Sequence, residues 1–350
     1  PAIETFHKVA SLDPGCGMAH WGMAFMAMGN PFAWPPTPKA LDIAAAAMAE
    51  AERIGARTER ERDYIAALSV FFPQRDTEPH RARAVALQKA MDGLAARYPK
   101  DDEAQILNAL LLDATALPTD KTFANQLRAA SILEPMFKKH PDHPGVAHYL
   151  IHTYDYSELA ERGLPSARVY ADIAPAVPHA LHMPSHIYSR VGAWHELVDG
   201  NRRSYLAARA ELKDATMDVG TYDALHAMDY MVFGQLQQAH DQDADKIVRE
   251  TAAIQKVNVE NFPAAYAFAA IPARYALERR DWKAAAALTL APAGLAWDKF
   301  PQAESILVFS RALGAARAGN LVQAQRDLQR LEALKAGMLA AQVAYWPSQT

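Results

Sequence analysis

Along the chain, apolar positions recur every three or four residues in stretches of twelve to eighteen residues, rich in Ala and Leu, broken by short Pro, Gly or Asp segments. That period predicts amphipathic helices, and no segment shows the strict apolar–polar alternation of a strand. The opening PAIETFHKVASLDP is typical: Ile3, Phe6, Val9 and Ala10 lie at helical spacing, and Asp13-Pro14 closes the element. It reads as the second half of a helical hairpin, so a leading helix is expected to precede it in the full-length protein. Similar strings recur before each new helix, at ASLDPG (10–15), ARYPKD (96–101), KKHPDH (138–143) and ADIAPA (171–176). Turns inside the units recur as well: VGAWHELV (191–198), ERRDWKAAAAL (278–288) and RAGNLVQAQRDL (317–328). Each is a small or polar turn, then an aromatic or apolar residue, then a second helix. The pattern predicts an all-α fold of tandem helix–turn–helix units.

Those units resemble the tetratricopeptide repeat, a helical hairpin of about 34 residues. The likeness covers nearly the whole chain, with irregular spacing around 55–80, 110–125 and 205–225. It implies one continuous right-handed α-solenoid over residues 1–350, whose first helices line a concave groove. It also implies a scaffold that binds a peptide or protein partner. The final VAYWPSQT is expected either to cap the last apolar face through Tyr345 and Trp346 or to form a dimer contact.

Composition narrows the classes. Hydrophobic residues at 51% and charged residues at 22% exclude disorder as the main state. Mean hydropathy is -0.17, and apolar runs are always broken by a charge or Pro too early for a membrane-spanning helix. A net charge of -4 argues against a nucleic-acid partner held by a basic surface. One cysteine, Cys16, excludes an internal disulfide and every Cys-based zinc site. The compartment is left open between cytoplasm and periplasm.

Histidine placement changes the picture most. Seven of the thirteen His lie between His140 and His186. HPGVAHYLIHTYD carries His148 and His152 four apart, with Asp155 three further on; PHALHMPSHIYSR carries His179, His182 and His186. His148 to His182 and His152 to His186 are both steps of 34, so the two pairs occupy equivalent positions in consecutive units. Residues four apart stack on one helix face. Neighbouring helix axes lie about 8–10 Å apart, close enough for two such pairs to meet at a common ion. Aligning AHWGMA at 19–24 with AHYLIH at 147–152 adds His20 at the first position, with Ala24 at the second. Pro184 favours a helix start, which would leave His179 and His182 as loop ligands; the register favours His182 of the two. TYDALHAMDYMVFGQ adds His226 and Asp229 on a later first helix, with His226 as a ligand or a supporting group. Tyr149, Tyr154 and Tyr188 flank the pairs as substrate hydrogen-bond donors or packing residues. Arg190, four after His186, is placed to pair with Asp155 or an anionic ligand. The Pro-rich, aromatic GNPFAWPPTP at 29–38 is either a lid over the groove or a connector anchored by Phe32 and Trp34.

AHYLIHTYD and HMPSHIYSRVG are similar to a motif pair in a group of bacterial tetratricopeptide-repeat proteins whose members carry a further His in the leading helix. That resemblance implies that the His set forms one site and that another ligand lies upstream. Imidazole with a carboxylate and no thiolate suits zinc, copper(II), nickel or non-haem iron. Three or four His around one ion with a labile position would activate water, whereas six nitrogens could hold two coppers for oxygen chemistry. No HExxH, GxSxG, P-loop or Gly-rich nucleotide string is present. The expectation is a metal-dependent enzyme, hydrolysing or oxidising a small organic substrate in the groove. His148, His152, His182 and His186 would be its primary ligands, and Asp155 a general base or orienting group. Its competitors are a peptide- or protein-binding scaffold and a metal storage or delivery protein.

Overall fold

The computed structural model describes residues 2–73, 75–212, 216, 218–341 and 343, so the expected terminal cap at Tyr345 and Trp346 lies outside the described residues. The fold is all-α and repeat-like, and it falls into two compact units, Pro1–Tyr154 and Asp155–Thr350. The first holds α1 (Ala2–Leu12), α2 (Gly17–Ala27), α3 (Pro38–Ile54), α4 (Glu59–Ser69), α5 (His80–Arg97), α6 (Asp102–Ala114), α7 (Ala124–Lys139) and α8 (Pro144–Tyr154). The second holds α9 (Ala160–Ile173), α10 (Pro178–His182), α11 (Pro184–Val191), α12 (Trp194–Glu211), α13 (Tyr222–Gln237), α14 (Asp241–Ala253), α15 (Phe262–Glu278), α16 (Trp282–Ala286), α17 (Pro301–Arg317) and α18 (Leu321–Ala340). Two short strands, β1 (Val219–Gly220) and β2 (Lys256–Val257), form a parallel pair that period-two patterning is too short to reveal.

Local chemistry sets the helix ends. Thr58 accepts from the Glu61 amide while Glu61 reaches back to the Thr58 amide, a reciprocal cap on α4. Thr221 accepts from the Ala224 amide at 3.1 Å to start α13, and Asn261 from the Ala264 amide at 3.0 Å to start α15. Pro38, Pro184 and Pro301 open their helices, where a missing N–H costs nothing. Gly192 ends α11 with φ of 75°, a left-handed turn that a side chain would strain.

Each unit buries its own apolar core. In the first, Met28, Met48, Leu68, Phe71, Leu87 and Met91 pack together. In the second, Leu225, Met228, Val232, Phe268, Ile271 and Leu307 do so. There α13, α15 and α17 stack in succession while α14, α16 and α18 pack on their flanks, the pattern of consecutive hairpins. Close approaches hold the site helices in place. A Cβ on Gly234 of α13 would sit 2.7 Å from the Leu197 side chain of α12, and one on Gly200 of α12 would sit 3.2 Å from the Leu181 carbonyl of α10. The 29–38 segment is a packed connector in the first unit: Trp34 donates to the Met28 carbonyl at 2.9 Å and lies 5.3 Å from the Phe71 ring.

Candidate metal centre

The second unit gathers His182, His186 and His226, each of which offers one ring nitrogen within 4.8 Å of those of the other two. His182 ends α10 and His186 lies in the first turn of α11. His179 and His182 are therefore helical, not loop residues as Pro184 had suggested. The short α10 forms because Met183 keeps right-handed helical angles and its amide bonds to the His179 carbonyl at 2.9 Å. Pro184 interrupts only the hydrogen-bond ladder, so the four-residue stacking of His182 and His186 survives across the break.

Surrounding groups dictate where the protons sit. Asn201 of α12 donates from Nδ2 to the Leu197 carbonyl at 2.7 Å and to Ser185 Oγ at 2.6 Å, which turns its Oδ1 toward His182. That oxygen lies 2.7 Å from His182 Nδ1, so Nδ1 carries a proton and Nε2 presents a lone pair. Asp155 Oδ2 lies 2.9 Å from His186 Nδ1, which imposes the same tautomer on neutral His186. Arg190 holds the other carboxylate oxygen, its Nε donating to Asp155 Oδ1 at 2.9 Å. The two Nε2 atoms stand 3.2 Å apart. With both Nδ1 positions protonated, two lone pairs face each other, an arrangement that calls for a shared proton or a cation.

His226 of α13 completes the trio, its ring centroid 4.3 Å from that of His182. Tyr230, one turn further along α13, lies 4.7 Å from the His182 ring, 5.6 Å from His186 and 5.3 Å from His226. His182 is 3% exposed. Burial first, then the neighbouring His226 and His186, push His182 well below the ordinary imidazole range, with Asn201 opposing in part. Burial, followed by His186 and His179, pushes His226 down to about 4. Burial raises the Tyr230 phenol, which stays protonated at neutral pH. The shifts at His182 and His226 keep those two imidazoles neutral, the form that binds metals.

A cavity of about 420 Å³ opens beside His226. Tyr230, Phe233, Phe262 and Tyr266 supply its aromatic wall, with Asp229 and Arg274 at one side. Asp229 is buried and accepts from Arg274 Nη2 at 3.2 Å, so it serves an ion pair rather than the His trio.

The other expected site residues have neighbours of their own. His148 and His152, on α8 of the first unit, bring their Nε2 atoms to 3.1 Å. Phe32 stacks on His152 with centroids 4.0 Å apart, and Tyr149 lies beside His148 at 5.7 Å. Tyr154 is buried and donates to Glu134 Oε1 at 2.6 Å. His20 lies on α2, near Glu50. His179 lies 6.5 Å, ring to ring, from His182 and is not one of the trio. Asn201, Tyr230 and Arg274 escaped the sequence reading. Only Tyr230 left a trace there, as the residue four after His226.

A scan against protein-family models finds no match for this chain, and a search of curated proteins finds none either. Function therefore rests on the geometry of the site.

Proposed function

We propose that the protein is a metal-dependent enzyme acting on a small organic substrate, with His182, His186 and His226 as ligands of one zinc ion beside the aromatic cavity. The observation that carries this reading is the 3.2 Å separation of two Nε2 atoms whose partner nitrogens are both committed as donors. Bonds of about 2.0–2.1 Å to zinc in tetrahedral geometry place ligand nitrogens about 3.3–3.4 Å apart. One edge of the trio already has that length, and no edge exceeds 4.8 Å. Three neutral imidazoles leave a fourth position for water or substrate, the composition of catalytic rather than structural zinc sites.

Such an ion, when bound, polarises a substrate oxygen or acidifies a water molecule. The chain's own residues supply the rest. Asn201 and Asp155 fix the tautomer and aim of two ligands, and Arg190 fixes Asp155. Asp155 thus orients His186 rather than acting as a free general base. The Tyr230 ring lies within 5.6 Å of all three imidazoles, and its phenol remains a hydrogen-bond donor. Oxidation by copper or iron is the alternative chemistry that the same nitrogens support. We read the hairpins as tetratricopeptide-like units of a right-handed solenoid, supported by the 34-residue register of the His pairs and by the stacking of α13, α15 and α17.

Elemental analysis of the purified protein, beside a His182→Ala/His226→Ala variant, tests the reading. Near-stoichiometric metal that disappears in the variant is expected, and the element found separates zinc hydrolysis from copper or iron oxidation. Absence of metal from both proteins after reconstitution with each of the three would overturn it and leave the peptide-binding scaffold.

A further inference from the structure

The cavity beside His226 has walls that select a ligand even without an ion. We propose that it takes a small organic acid with an aromatic, planar body, its carboxylate held by Arg274. This deepens the metal-enzyme reading by naming the substrate class, and it rests on that reading for the reaction but not for the binding contact.

Arg274 lines the cavity from α15. Among the described residues its guanidinium makes one hydrogen bond, from Nη2 to Asp229 Oδ1 at 3.2 Å. Its Nε is buried with no hydrogen-bond partner. The guanidinium plane is held by the Phe233 ring, 5.1 Å from Cζ, and by Asp229, whose side chain is only 6% exposed against 27% for Arg274. Asp229 therefore anchors the guanidinium from the protein side, while Arg274, which lines the cavity, keeps N–H donors beyond that one bond. A fixed guanidinium with unused donors matches a planar carboxylate better than any neutral group.

The aromatic wall decides the body of the ligand. Phe262 and Tyr266, one turn apart on α15, face the same cavity as Tyr230 and Phe233 of α13. Aromatic walls alone would also welcome an organic cation. Arg274 disfavours that choice, because its side chain is 27% exposed against 6% for the Asp229 carboxylate paired with it. A cation held by three neutral imidazoles would disfavour it further, because its ligands would cancel none of its charge. At about 420 Å³ the space lies near the lower end of small-molecule pockets and fits one or two rings.

The test uses the full chain, freed of metal with a chelator, titrated calorimetrically with benzoate, phenylacetate and indole-3-acetate and with the corresponding amides. At least one acid should bind about tenfold more tightly than its amide. In an Asp229→Asn/Arg274→Gln variant, which keeps the buried pair neutral and similar in shape, that preference should fall to about twofold or less. Should the variant fail to fold, the native chain decides the matter through phenylglyoxal modification, from which the acid, and not the amide, should protect Arg274. Equal binding of acids and amides, a preference that survives the substitution, or no binding of any acid would overturn the proposal. A preference that appears only after zinc is added would also overturn it, since the carboxylate would then belong to the ion. Zinc stoichiometry, measured before the chelator treatment and again after reconstitution with zinc, judges the metal reading separately.

Discussion

Two pairs of histidines share one spacing, one register and almost one geometry, yet they sit in different chemistry. His148 and His152 bring Nε2 atoms to 3.1 Å; His182 and His186 bring theirs to 3.2 Å. In the first unit the pair lies among rings, with Phe32 flat against His152 and Tyr149 beside His148. In the second, Asn201 and Asp155 pin the protons, and His226 arrives from another helix to make a third corner. A helical repeat thus copies the relation between two side chains without copying every neighbour around them. What gives the second pair a third imidazole is the neighbour that an adjoining helix delivers.

Removing ligands should break the contrast most sharply. His182→Ala or His226→Ala is expected to weaken zinc binding by about 100-fold or more, beyond the usual effect of losing a supporting group. His148→Ala/His152→Ala should change it by about threefold or less. Competition with a chromophoric chelator measures both. Equal losses would instead make the two pairs ligands of one ion, as the 34-residue register suggested.

A smaller effect isolates the proton-fixing shell. Asn201→Leu should leave all three imidazoles in place but free the His182 tautomer, costing about 10–100-fold in zinc affinity. Affinity unchanged within error would remove Asn201 from the site.

Acid sharpens the comparison in the metal-free protein. His226 is held down to about 4, chiefly by burial, against an ordinary value near 6.5. Between those values the unfolded chain binds a proton that the folded one refuses, so stability is complete above about pH 6.5 and declines as the pH falls toward 4. The loss from this group is at most about 3 kcal/mol. Thermal melts between about pH 7 and about pH 4.5 should slope less steeply for His226→Leu than for wild type; parallel slopes would refute the assignment.

The smallest expected change concerns Tyr154, a residue that adjacency to the first pair made a catalytic candidate. Tyr154→Phe removes its bond to Glu134 and should cost about 1 kcal/mol of stability with no effect on metal affinity. A drop in affinity would return Tyr154 to the site.

Much of this was legible in the order of residues. Helix periodicity and the Pro, Gly and Asp breaks foretold the all-α architecture, and the four-residue spacing foretold that each His pair would meet. His226 was harder to weigh, because the irregular segment before α13 moves it out of the repeat register. Asn201 and Arg274 were invisible. Their roles depend on how α12 settles on α10 and how α15 settles on α13, distances set by packing at points such as Gly200 and Gly234. Spacing reports contacts within a helix; contacts between helices belong to the assembled fold. The connector at 29–38 shows both sides of this limit. Its aromatic anchors were apparent, but not that Phe32 would cover His152.

Pro184 supplies no amide hydrogen, so a rung of the backbone ladder is missing where α10 meets α11. His182 and His186 stand on opposite sides of that gap, their Nε2 atoms facing each other across it. Any cation they share closes over the joint as a replacement rung made of side chains. Local opening of α10 and departure of the ion then become a single event. Hydrogen exchange at the Leu181 and Met183 amides, which bond back to Val177 and His179 within this short turn, becomes a direct gauge of how full the site is.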